Sequence, residues 1–104
     1  MTTMVFFFNR LHEHVDPADY ERWVRDTDYP VARAVPAIRS YDVVRLDGPL
    51  RDDEVPFDYV EVVEITELEE YRAALADLPN REEFVAQIRG FIGDATAVHG
   101  TMIE

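Results

Sequence analysis

The side chains best suited to chemistry near neutral pH in this chain are the imidazoles of His12, His14 and His99, two carboxylates set among apolar residues at Asp28 and Glu64, and the one indole, Trp23. An imidazole titrates close to neutrality without help from its surroundings, which makes histidine a natural general acid or base. His99 lies in ATAVHGTMI, where Ala95 and Ala97 precede it on the same face at period two. Small side chains there leave room above a sheet, and an imidazole beside them reads as the titratable wall of a pocket or as a packed structural histidine. Glu64 closes the run FDYVEVVEI and reads as a pocket wall or as a carboxylate on a wet rim. Asp28 precedes Tyr29-Pro30 inside a helical stretch and reads as a cap for the next turn or as a pocket acid. Trp23 is either core packing or an aromatic surface for a substrate. His12-Glu13-His14 has a spacing that suits a metal, but no clear third ligand lies nearby, so these read as solvated turn histidines and no metal site is expected.

Two absences narrow the chemistry further. The chain has no cysteine, which excludes thiol nucleophiles, disulfides and cysteine-based clusters. All ten of its basic residues are arginine, so no lysine is present to form a Schiff base. The formal net charge of -12 disfavours nucleic acid and anionic membranes, whose affinity comes from lysine and arginine. No apolar run approaches the roughly 20 residues of a membrane span, and the first residues lack the basic-then-apolar order of a signal peptide, so a cytoplasmic location is expected. At 104 residues a single domain is expected.

The elements that must hold these residues follow from periodicity. Met4 to Leu11 reads as a strand apolar on both faces, which places it mid-sheet with each side covered. Asp16-Pro17 reads as an N-cap followed by proline at the first helical position. Tyr20, Trp23, Val24, Thr27 and Val31 then form one stripe, with Glu21 and Arg25 pairing on the other side. Pro30 should break or kink this helix at Asp28-Tyr29-Pro30 before it resumes briefly to Val35, turning Asp28 toward the strand that bears His99. Strands are expected over Ile38 to Leu46, Phe57 to Ile65 and Ala95 to Ile103. Thr66 to Glu69 fits a capping box for a helix that Pro79 stops, and a short third helix started by Asn80 with Glu83 and carrying Phe84, Val85, Ile88 and Phe91 follows. The order β-α-β-β-α-(α)-β is an α+β, ferredoxin-like arrangement with a four-stranded antiparallel sheet. Helices cover one sheet face, and a second copy of the chain would cover the other.

With these elements the chain resembles the dimeric α/β-barrel superfamily. Within it, LHEHVDPADYERWVRDTDYP, followed by VPAIRSYDVVRL and DYVEVVEITELEEY, is similar to the REDY-like family that includes HapK. The most specific element is D-P-A-x-Y-E-x-W-V-x-x-T-D-Y-P. The resemblance implies a homodimer with a small apolar cavity in each protomer, between the sheet and its own helices, and a cofactorless protein of bacterial pathways to prodiginine tripyrroles or bisindole alkaloids. By analogy of position the cavity face carries Val5, Phe7 and Asn9, then Tyr41 and Val43, then Asp58, Val60, Val62 and Glu64, then Ala97 and His99, with Trp23, Val24 and Asp28 on the helical wall. Two departures matter. Where related cyclases carry a catalytic histidine after the second helix, this chain has Leu78-Pro79-Asn80-Arg81, and Arg81 suits a carboxylate better than a proton. Where related monooxygenases carry a tryptophan near the end of the third strand, Glu64 stands.

The function these implications favour is a cofactorless enzyme directing cyclisation, condensation or tautomerisation of a small aromatic substrate, an indole- or pyrrole-derived acid or imine intermediate. His99 would be the general acid/base, with Glu64 or Asp28 orienting it or moving a second proton. Asn9 and Tyr41 would hydrogen-bond a developing oxyanion, and Trp23 and Phe7 would stack on the ring. A non-catalytic protein sheltering the intermediate and a cofactorless oxygenase are the competing readings.

Overall fold

A computed structural model describes residues 1–104. Strand β1 (Thr3–Leu11) leads to helix α1 (Pro17–Trp23), a π-helical turn (Val24–Asp28) and helix α2 (Tyr29–Arg33), then strands β2 (Ile38–Arg45) and β3 (Tyr59–Ile65), helices α3 (Leu68–Ala76) and α4 (Arg81–Phe91), and strand β4 (Ile92–Thr101). The four strands form one antiparallel sheet in the order β2-β3-β1-β4. This is the ferredoxin-like α+β arrangement expected from the periodicity, with the doubly apolar β1 at an inner position.

The helices cover one face only. On that face Val5, Leu11, Tyr41, Tyr59, Val63 and Ile65 are buried. Two apolar clusters form beneath the helices. One gathers Val5, Ala32, Val35, Tyr41, Val63, Ile65 and Tyr71, the other Leu11, Tyr20, Val24 and Tyr59. Met4, Phe6, Phe8, Val60 and Val62 point to the opposite face, where they are half-buried and no helix lies over them. A one-residue change of register would exchange the two sets, so the pairing of Val5 with Val63 fixes which side chains meet the helices.

The first helix begins as expected: Asp16 accepts from the Ala18 N–H at 2.9 Å and Pro17 opens the first turn. It does not break at Pro30. A proline ring collides with the carbonyl four residues back, and the chain avoids this by widening the preceding turn, so that the Tyr29 N–H reaches the Val24 carbonyl five residues back. Tyr29 stays right-handed helical at φ -58°, ψ -50°. The wide turn has a consequence for the site. Side chains four apart drift by about 40° per step along an α-helix, and the extra residue cancels much of that drift. Tyr20, Val24, Asp28 and Ala32 therefore all face the sheet and are buried.

Other side-chain pairings differ from the expectation. Glu21 turns away from Arg25 and instead accepts from the Tyr59 hydroxyl at 2.7 Å and pairs with Arg45 at 3.2 Å. Thr66 donates to Glu70 at 3.1 Å rather than closing a capping box, and α3 starts one residue later, after Glu67. Tyr29 and Arg33 fasten α2 to the edge strand: Tyr29 Oη accepts from the Val43 N–H at 3.0 Å, and Arg33 donates to the Tyr41 carbonyl at 3.0 Å. These contacts occupy backbone groups that an edge strand otherwise leaves open.

Candidate functional site

Between the two apolar clusters, at the middle of the sheet, the covered face carries polar residues. Tyr59, Glu61, Val63 and Ile65 project from β3 toward the helices, and Glu61 stands opposite Phe7 on β1 and Val43 on β2. Its diagonal neighbours are Asn9 and Tyr41, one on each flanking strand, and both bond it. Asn9 donates through Nδ2 to Glu61 Oε2 in a short contact, and Glu61 Oε1 lies 2.8 Å from the Tyr41 hydroxyl. From the helix side Asp28 Oδ2 meets the same hydroxyl at 2.6 Å. Asn9 is 1% exposed and Asp28 5%, Tyr41 is buried with them, and Glu61 is half-buried where it meets the cavity.

A phenol has one hydrogen to donate, yet Tyr41 Oη makes short contacts to two carboxyl groups. Both contacts are hydrogen bonds only if one carboxyl is protonated and donates to Tyr41 while Tyr41 donates to the other. Burial pushes the Asp28 carboxyl up to about 7, against the bond from Tyr41, with the Glu61 charge adding to the rise. Burial raises Glu61 as well, opposed by the bonds from Tyr41 and Asn9. Tyr41 is held firmly as the neutral phenol by burial and by the charges of Glu61 and Asp28. One proton held between the two raised carboxyls through Tyr41 accounts for both contacts.

This chain lines a cavity of about 320 Å³ enclosed mostly by apolar side chains. Phe7, Asn9 and Glu61 form its floor, with Tyr41 and Asp28 beside them. Tyr20, Trp23, Val31 and Val35 line it from the first helical segment, Tyr71, Leu75 and Leu78 from α3 and its end, and Arg81, Phe84, Val85 and Ile88 from α4. Trp23 stacks on Phe84 with ring centres 5.6 Å apart and donates its Nε1–H to Gln87 at 2.8 Å, which ties α4 to α1. The phenols of Tyr20 and Tyr71 are raised first by burial and then by the charges of Glu61 and Asp28, so both remain hydrogen-bond donors. Both Glu61 oxygens are engaged, whereas Asp28 Oδ1 has no hydrogen-bond partner. Since no fully enclosed side-chain polar atom of the protein lacks a partner, this oxygen opens onto the cavity.

The structure brings Asp28, Asn9, Tyr41, Phe7, Trp23 and Arg81 together at this cavity, and separates the other candidates from it. Glu64, Val60 and Val62 project to the opposite, helix-free face, because Tyr59, Glu61, Val63 and Ile65 take the covered face of β3. There Glu64 lies 3.9 Å from Arg39 with 31% of its side chain exposed. His99 is on the helix side of β4, opposite Val5, but β4 is an edge strand and beyond Ala95 that face is uncovered, leaving Ala97 and His99 exposed. Asp28 accordingly faces β2 and β3 rather than the strand bearing His99. Nor does it cap α2 with its side chain. Val24 packs in the cluster of Leu11, Tyr20 and Tyr59 rather than along the main cavity. His12 and His14 stack on each other at 5.4 Å, His12 Nε2 lies 2.9 Å from the Arg89 carbonyl, and no group of three or more candidate metal ligands exists.

Glu61 is the residue that sequence reasoning passed over. The signal was present: of the two alternating sets in FDYVEVVEI, the one holding Phe57, Tyr59, Val63 and Ile65 is the more apolar, and Glu61 is its one charge. The face richest in large apolar residues is the one helices cover.

Comparison with known proteins places this geometry in a context. The family model described as REDY-like protein HapK matches residues 2–103. No significant match was found among curated proteins. Among solved structures, HapK from Hahella chejuensis superposes with a TM-score of 0.79 at 22% identity, covering 97% of this chain and 92% of that one. A dimeric ferredoxin-like protein of unknown function from Thermobifida fusca gives 0.74 at 20% identity, over 98% and 92% of the two chains. SnoaB, a cofactor-independent oxygenase from Streptomyces nogalater, gives 0.69 at 21% identity, over 99% and 93%.

Proposed function

The chain belongs to the REDY-like HapK family, and from that premise we propose that it is a cofactor-independent enzyme of secondary metabolism. In this reading it directs tautomerisation, cyclisation or condensation of a pyrrole- or indole-derived intermediate by acid/base chemistry. The observation that carries the reading is the contact of one hydroxyl, Tyr41 Oη, with both Asp28 and Glu61 at the floor of an apolar cavity. A general base works best when its affinity for protons matches the working pH, and Asp28, pushed up to about 7, meets that condition.

The step runs as follows. With the shared proton on Glu61, the Glu61 carboxyl donates to Tyr41, Tyr41 donates to Asp28 Oδ2, and Asp28 is a carboxylate whose Oδ1 faces the cavity. It removes a proton from an acidic C–H or N–H of the bound ring system. The electron pair moves into the conjugated system, where Tyr20 or Tyr71 stabilises the developing enolate by donating to it. The proton returns from Asp28 at another position of the substrate, giving a tautomer set to close or condense. Phe7 and Trp23 hold the aromatic plane. His99, exposed on β4, takes no part in this step.

The helix-free face supports a homodimer. Met4, Phe6, Phe8, Val60 and Val62 make that face apolar across the inner strands, and a second copy packed face to face would cover it. The dimeric state of the Thermobifida fusca protein of the same fold fits this arrangement.

The experiment is hydrogen exchange on a defined carbon acid. In deuterated buffer the protein should accelerate loss of the side-chain methylene hydrogens of indole-3-pyruvate, followed by proton NMR. Asp28→Asn should remove that acceleration and His99→Ala should keep it. Equal acceleration by Asp28→Asn and the unsubstituted protein would contradict the assignment. A probe that binds without accelerated exchange would favour the sheltering role. The likeness to SnoaB favours a second reading, in which the same base deprotonates a hydroquinone for attack on oxygen. Oxygen consumption dependent on protein and hydroquinone would support it.

A further inference from the structure

Arg81 is the one basic residue among those lining the cavity. It is exposed and opens α4, whereas Asp28 and Asn9 are buried, so the cation stands at the mouth and the carboxyl pair at the floor. Six of the ten arginines, Arg10, Arg25, Arg51, Arg72, Arg81 and Arg89, form no ion pair, and of these Arg81 alone lines the cavity. Its Nε donates to the Leu75 carbonyl at 3.3 Å near the end of α3. That contact uses one of the five donors of a guanidinium and leaves the terminal nitrogens free.

We infer that the substrate is an aromatic monocarboxylate bound in one direction, its carboxylate held by Arg81 at the cavity mouth and its reactive C–H or N–H directed to Asp28 at the floor. This inference rests on the acid/base reading of the cavity and adds to it the substrate class and its orientation. A guanidinium fork matches a carboxylate with two parallel hydrogen bonds. The carboxyl pair sets the opposite end: an anionic group inserted first would meet Asp28 and Glu61, whereas an N–H meets an acceptor in Asp28 Oδ1. The apolar walls between them fit the ring system. At about 320 Å³ the cavity is at the small end of ligand pockets, which favours one or two rings over an extended chain of them.

The test compares indole-3-acetate with indole-3-acetamide by isothermal titration calorimetry at low salt. The unsubstituted protein should bind the acid about tenfold or more tightly than the amide, as expected for a charge-assisted pair. Arg81→Gln should bind the two equally, with the amide's affinity unchanged, which also reports that the cavity is intact. Arg81→Lys should keep part of the preference. Equal affinities for acid and amide in the unsubstituted protein, no binding of the acid at millimolar concentration, or a preference that survives Arg81→Gln would each overturn the inference. The acid/base reading stands or falls separately: Asp28→Asn should leave the preference for the acid in place while abolishing hydrogen exchange of indole-3-pyruvate.

Discussion

Strand β3 carries two glutamates three residues apart, and they live in different solvents. Glu61 sits under the helices, bonded by Asn9 and Tyr41, with its carboxyl raised by burial. Glu64 lies on the helix-free face with 31% of its side chain exposed and Arg39 at 3.9 Å. The residue type is the same, and the parity of position along the strand decides whether the carboxyl is a proton carrier or a surface charge. What converts one into chemistry is the combination of a dry surround and a second carboxyl reached through a single phenol.

The two glutamates should differ most in their effect on activity. Asp28→Asn should lower the exchange rate of indole-3-pyruvate by about 10²- to 10⁴-fold, the usual contribution of a positioned acid/base, and Glu61→Gln should impair it too. Glu64→Gln should leave the rate within about twofold, as for an exposed side chain away from the site.

The next effect is on stability against pH. The folded Asp28 carboxyl holds its proton up to about 7, well above the ordinary aspartate value of 3.8, so between these values the folded state binds more protons than the unfolded one. Stability contributed here is fully present below the unfolded value and is lost as pH rises through about 7. The Asp28 carboxyl alone should therefore contribute a fall of about 4 kcal/mol between pH 4 and 8, with Glu61 acting in the same direction and the lowered Glu21 carboxyl in the opposite one, read as the difference in denaturant melts between the unsubstituted protein and Asp28→Asn. Asp28→Asn should flatten that slope.

On the other face, Phe8→Ala should weaken self-association by about 1.5–3 kcal/mol per protomer, the worth of a buried phenylalanine, read by sedimentation equilibrium. Hydrogen exchange within each cavity should persist. Smaller again is Tyr41→Phe, which removes the hydroxyl between the carboxyls and should cost about 1–3 kcal/mol at pH 5 in chemical denaturation. The least effect on stability belongs to Glu64→Gln, below about 1 kcal/mol, because its pairing with Arg39 is exposed and long.

Much of this molecule was legible in its sequence. Period-two runs gave the four strands, Asp16-Pro17 gave the helix start, and the order of elements gave the ferredoxin-like sheet. Asp28, Asn9, Tyr41, Phe7, Trp23 and Arg81 each stand out in the sequence by residue type and setting, without a sign of where they meet. What stayed hidden was relational. Each strand offers two faces, and on β3 the larger apolar side chains of the set with Tyr59, Glu61, Val63 and Ile65 mark the covered one, a signal blurred because Val60 and Val62 make the other face apolar too. His99 has the right chemistry beside small residues, but whether a helix covers the edge strand depends on where α4 ends. Pro30 marks an irregularity in the helix, yet the answer to it was a wide turn rather than a break. That choice puts Asp28 into the cavity and settles its contact with Tyr41.

Everything proposed for the cavity depends on one proton being shared by Asp28 and Glu61 through Tyr41. Carbon-13 NMR of carboxyl-labelled protein, titrated from pH 3 to 9 with Asp28→Asn to assign the signal, tests it directly. The account predicts that the Asp28 carboxyl titrates at about 7 and that a Glu61 signal shifts with it. An Asp28 resonance that titrates fully near the ordinary aspartate value, independent of Glu61, would contradict it.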